Sequence, residues 1–155
     1  MASQTEQPAR AARQAELSEE VAAALEKGRV QFERGRYRAA IDTWRAVYER
    51  RSANSTLTAA ERQTLQRRIA EAHFARSHLA IGRQATAKGL RRALERIGEA
   101  LRWDPENALF AFEAGRCHWR LGRRAQALVL FSQALQSRGA TSQMRYYTAL
   151  AQFHT

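Results

Sequence analysis

The sequence predicts an all-α protein of about three helix-turn-helix repeats followed by a final helix, and three observations carry that expectation. In residues 110–135, Gly115, Gly122, Ala127, Phe131 and Ala134 follow one another at intervals of seven, five, four and three. Such spacing describes two short amphipathic helices joined at Gly122, with small residues where the helices touch and an aromatic beside them. The same intervals recur upstream in Gly28, Gly35, Ala40, Trp44 and Val47. A third copy is interrupted: Ala75 and Gly82 keep the first interval, Ala93, Ile97 and Ala100 keep the last two, and six extra residues, 84–89, lie between the halves.

Taken in order, residues 1–17 are mostly Ala, Gln, Arg and Glu, too poor in apolar side chains to offset the entropy of ordering, and are expected to be a tail. The helical domain is expected over 18–155, in repeats at about 21–54, 58–106 and 107–140 with a final helix at 142–155. Ser18 with Glu19 and Glu20 reads as a capping hydroxyl followed by carboxylates at the positive end of a helix dipole. Gly35 turns the chain into a helix carrying Ala40, Ile41, Trp44 and Val47 on one side. Thr58 and Glu61 have the T-x-x-E spacing of a capping box and open a long helix to about Ile81. The stretch 84–89, QATAKG, has no large apolar residue and reads as an exposed turn that tolerates deletion, with helix resuming near Leu90. Asp104-Pro105 reads as the N-cap and first position of the next unit, and Thr141 or Ser142 as the cap of the last helix.

The repeated spacing resembles the tetratricopeptide repeat, over most of residues 20–155. That resemblance implies a right-handed αα-superhelix with a concave groove lined by the first helix of each repeat. Gly28, Ala75 and Gly115 are then the close-contact positions. Ala149, 34 residues after Gly115, occupies the same place in the final helix. The apolar residues Met144, Tyr146, Tyr147, Leu150 and Phe153 point in several directions, so this helix reads as the leading edge of a longer array rather than a polar cap.

Composition bounds the function. All but Lys27 and Lys88 of the 26 cations are arginine, the formal net charge is +11, and no Asp or Glu follows Glu113. Planar guanidinium forks suit carboxylate or phosphate, so acidic partners fit. A single cysteine, Cys117, excludes an internal disulfide and fits a reducing compartment; with no signal-like or membrane-spanning apolar run, a soluble cytoplasmic protein without membrane association is expected. No enzyme signature, metal-ligand spacing or cofactor motif is found. His73 and His78 are five apart and diverge on a helix, Cys117 and His118 are adjacent, and His118 reads as a structural histidine.

Superposing the repeats on their small residues places an arginine next each time: Arg29, Arg76 and Arg116. The resemblance puts these positions in the groove, flanked by Leu25, Ala72 and Phe112 on one side and Phe32, Leu79 and Trp119 on the other. Four-and-three spacing keeps each set on one helical face. With Arg120 nearby, the expected partner site is Arg29, Arg76, Arg116, Arg120, Phe32, Leu79, Phe112 and Trp119, holding an acidic peptide segment of another protein. Glu26 and Glu113 can neutralise Arg29 and Arg116 along their own helices, whereas His73 replaces that glutamate before Arg76, which is therefore the arginine expected to be free. Two alternatives stand beside this adaptor reading. One is nucleic-acid binding through the arginines and stacking aromatics; the other is self-association or assembly with further repeats through residues 142–155.

Overall fold

The computed structural model describes residues 18–81, 85–137 and 139–153; the expected tail, Gly82 and Gln84 lie outside them. The described residues form seven α-helices and no strand: α1 Glu19–Glu33, α2 Tyr37–Ala53, α3 Ala59–Ile81, α4 Ala87–Trp103, α5 Ala108–Arg120, α6 Arg124–Gln136 and α7 Ser142–Phe153. They belong to two compact units whose boundary falls within α3, after Ile69. Gly35, Gly122 and Gly139 have φ of 72°, 74° and 92°, the left-handed conformation that a residue without a Cβ adopts at little cost.

In the first unit α1 packs on α2. A Cβ on Gly28 would overlap the indole of Trp44, whose Nε1–H donates to the Leu25 carbonyl at 3.4 Å. Val21, Ala24, Ala40, Ile41, Trp44, Val47, Leu57, Leu65 and Ile69 are buried. The capping box forms as expected: the Thr58 hydroxyl accepts from the Glu61 amide at 3.2 Å, and Glu61 Oε2 accepts from the Thr58 amide at 2.9 Å. Glu61 also does something its local spacing does not announce. Its Oε1 accepts from the Ser18 amide at 2.9 Å, so one carboxylate, 1% exposed, satisfies donors at the starts of both α1 and α3. The Ser18 side chain makes no cap of its own, contrary to expectation; its hydroxyl accepts from Arg51 instead.

The second unit holds the last turns of α3 and helices α4 to α7. One core gathers Ala70, Leu90, Ala93, Ile97, Ala100, Phe110, Ala114 and Cys117. A second gathers Ala108, Ala111, Phe112, Ala127, Phe131, Ala134, Met144 and Ala151. Thus α5 is buried on two sides. Gly115 faces Phe131, whose ring carbons would lie 2.6 Å from an added Cβ. Ala75, expected to be a similar close contact, is only half-buried, while Ala72, expected on the groove stripe, is fully buried.

Two boundaries differ from expectation. Asp104 ends α4 and Pro105 lies in the turn; Asn107 is the N-cap of α5, its side chain accepting from the Phe110 amide at 3.3 Å and donating to Asp104 at 3.0 Å. The inserted stretch is not an exposed turn throughout. Thr86 caps α4 by accepting from the Gly89 amide at 3.1 Å, so Ala87, Lys88 and Gly89 are helical. A Cβ on buried Gly89 would sit 2.7 Å from the Ala80 carbonyl, making this residue an interhelical contact and not a deletable one. Gly98, in the same helix, has nothing within 4 Å of its would-be Cβ. Alanine should therefore act oppositely at the two sites. Gly98→Ala is expected to stabilise by about 0.5–1 kcal/mol through helix propensity, and Gly89→Ala to destabilise despite the same propensity gain. Thermal melts of the two variants check this; equal shifts would remove Gly89 from the packing.

Candidate functional site

The expected site residues divide between the two units. Arg29 belongs to the first, where it is bound by two carboxylates of its own helix: it pairs with Glu33 and lies 2.7 Å from Glu26. These hydrogen bonds raise the Arg29 pKa, and the bond from Arg29 lowers that of Glu26. Phe32 is half-buried, edge-on to Tyr37 at 5.0 Å and tilted against Trp44 at 6.4 Å. Both residues are thus engaged inside their own helix pair.

The second unit contains Arg76, Leu79, Phe112, Arg116, Trp119 and Arg120. Arg76 is half-buried and already engaged within the protein, so the expectation that it is the free arginine does not hold; a missing i−3 glutamate says nothing about partners contributed by other turns. Phe112 is 2% exposed, with its ring 5.6 Å from Phe131 and 5.5 Å from Tyr147. It is a core residue and drops out as a surface anchor because α6 and α7 cover it. Leu79 is 68% exposed. Trp119 is half-buried, and the Arg124 guanidinium lies 5.0 Å from its ring centre.

What the fold does bring together is a cleft of about 230 Å³ between the end of α3 and the outer turns of α5, lined by His78, Ile81, Glu113, Arg116, Cys117 and Arg120. Glu113, Arg116 and Arg120 stand at i, i+3 and i+7 on α5 and therefore share a face. Arg116 is held in place: it bonds Glu113 at 2.8 Å, and its guanidinium carbon is 5.9 Å from the ring centres of both Phe112 and Tyr147. Arg120, exposed at the end of the helix, supplies a second cation where only one carboxylate lines the walls. His78 is exposed and stands edge-on to Phe74 at 4.8 Å.

Cys117 forms the buried floor. Burial pushes its thiol up to about 11, reinforced by Glu113 and opposed by Arg116 and Arg120, so the sulfur is protonated and a poor nucleophile at neutral pH. His118 is half-buried, its pKa lowered by burial and by Arg123, and its Nδ1 has no hydrogen-bond partner; it is a neutral ring at pH 7. Among the described residues no group of three or more His, Cys, Asp or Glu could hold a metal ion. No described helix is long and apolar enough to cross a membrane.

Of the expected site residues Arg116 and Arg120 line this cleft; its other lining residues, His78, Ile81, Glu113 and Cys117, were not among them. Ile81 closes α3, and Cys117 lies one residue after Arg116 on α5, but only the packing of the two helices sets these ends together. Compared with protein-family models and with curated proteins, the chain matches none.

Proposed function

We propose that this protein is a non-catalytic interaction module that takes a carboxylate-bearing segment of another protein into the α3–α5 cleft. One observation supports this above others: two arginines against one carboxylate, at a cleft with a neutral thiol floor. A guanidinium preset by Glu113 and two rings loses little freedom when it receives a second carboxylate, which favours a charge-assisted, two-pronged contact. Leu79, exposed beside His78 on α3, provides an adjoining apolar contact. The tetratricopeptide-like repeat, and the right-handed superhelix that such repeats build, are part of the same proposal. Arg29 is not required by it, since two carboxylates already satisfy that side chain.

The test is titration of a fluorescein-labelled peptide of alternating Glu and Leu, followed by anisotropy, at two salt concentrations. Arg120→Glu is expected to weaken binding about tenfold with an unchanged melting temperature, because an exposed helix-end charge contributes little to stability. Equal affinity for both proteins would remove the cleft. Tight binding of oligo-dT with a steep logarithmic dependence on salt would instead favour a nucleic-acid partner.

A further inference from the structure

A shift of 34 residues carries α5 onto α7, and burial follows the shift on one side only. Phe110, Ala114 and Cys117, the side of α5 that packs toward α3 and α4, map to Met144, Thr148 and Ala151, which are likewise buried. The other side of α5, Ala111, Phe112 and Gly115, is covered by α6 and α7. Its counterparts are Arg145, Tyr146 and Ala149, all exposed, with Phe153 continuing the row where α5 has Trp119. Tyr146 is 63% exposed and Phe153 86%. With Ala149 between them, they form an exposed apolar row along one face of α7.

The register also says what fits it. On α5 the small residue Gly115 receives Phe131, from a helix whose Ala127, Phe131 and Ala134 are all completely buried; in the first unit Gly28 receives Trp44 in the same way. Ala149 therefore offers the place for an incoming aromatic ring. Arg145 stands where α5 has the buried Ala111, so a helix laid here meets a guanidinium that a carboxylate, absent from α6, would pair. Residues 1–17 contain no aromatic residue, and α6 has no acidic one. In a second copy, Phe131 and Trp44 are already buried in their own units.

We propose that the exposed face of α7 docks an acidic amphipathic helix of a partner protein, with an aromatic residue over Ala149 and a carboxylate on Arg145. This surface is independent of the α3–α5 cleft. The mode is a helix laid along a helix, its anchors spaced by whole turns.

The probe is a labelled synthetic helix that keeps the alanine and phenylalanine spacing of α6 on one face and carries Glu on the flanks. Binding is followed by anisotropy. Ala149→Leu fills the aromatic's place at an exposed position and is expected to weaken binding at least about tenfold with unchanged circular dichroism and melting temperature. Arg145→Glu should weaken it similarly, and a Lys-flanked version of the peptide should restore affinity to that variant. No binding up to about 1 mM, or binding indifferent to Ala149→Leu, overturns the proposal. So does a concentration-dependent dimer abolished by Ala149→Leu, which would give this face to a second copy of the chain.

Discussion

Replacing Glu61 by alanine is expected to destabilise the first unit by about 3 kcal/mol, and two routes lead to that figure. Removing the carboxylate leaves the half-buried Ser18 and Thr58 amides without their acceptor, at about 1–2 kcal/mol each. Independently, the Glu61 pKa falls to about 2: burial opposes ionisation, but the backbone donors at Thr58 and Ser18, with their hydroxyls, outweigh it. A drop of that size from the ordinary carboxyl value of 4.5 also corresponds to about 3 kcal/mol. The sign follows from which state binds the proton more weakly. Because the folded pKa is depressed, the unfolded chain takes up the proton first. The contribution is complete above about pH 4.5 and is lost as pH falls towards 2. Trp44 is the tryptophan of the first unit, so its fluorescence in urea titrations at pH 7 and pH 3, with Trp103 and Trp119 replaced by Phe, reports this. Glu61→Gln should flatten the pH dependence. If it leaves the wild-type profile between pH 5 and pH 2 unchanged, Glu61 is not the group responsible.

Phe131→Ala is expected to destabilise the second unit by about 3–5 kcal/mol, the usual cost of deleting a completely buried ring. The loss is near the upper end for a specific reason. The Phe131 ring stands 5.6 Å from Phe112 and 6.0 Å from Tyr147, and covers Gly115, so its removal loosens α5, α6 and α7 together. Gly115→Leu overpacks the same point and should cost about 1–3 kcal/mol. In the double variant the leucine occupies part of the cavity, so its destabilisation should fall below the sum of the two. Strict additivity in urea melts, or an unchanged melting temperature for Gly115→Leu, would mean that the helices do not meet there.

These two sites also show why some features were legible in the sequence and others were not. Gly28 and Gly115 announce themselves, because a helix interior that omits a Cβ beside a distant aromatic at fixed spacing has a single steric meaning. The turn glycines and the Thr58–Glu61 box are local chemistry and read just as plainly. Phe112 was misread as a groove residue because its cover, Tyr147, comes from a helix whose packing no local period encodes. Asp104-Pro105 looked like a helix start, but Asn107 competes for the same turn and its side chain reaches the Phe110 amide. Gly89 was assigned to a turn on composition, whereas its role is the approach of α4 to the Ala80 carbonyl. The candidate cleft was half visible: Arg116 and Arg120 are one face of one helix, but the end of α3 joins them only through tertiary packing.

The Glu61 carboxylate also imposes an order on how the protein comes into being. It lies 43 residues downstream of the Ser18 amide that it holds. On a ribosome, α1 and α2 emerge and pair while the beginning of α1 still lacks its acceptor. The Ser18 amide gains that acceptor only once α3 is in place, because only then does one side chain reach both helix starts. The capping of α1 is therefore completed from α3, by a single buried charge rather than by the growth of a hydrophobic core.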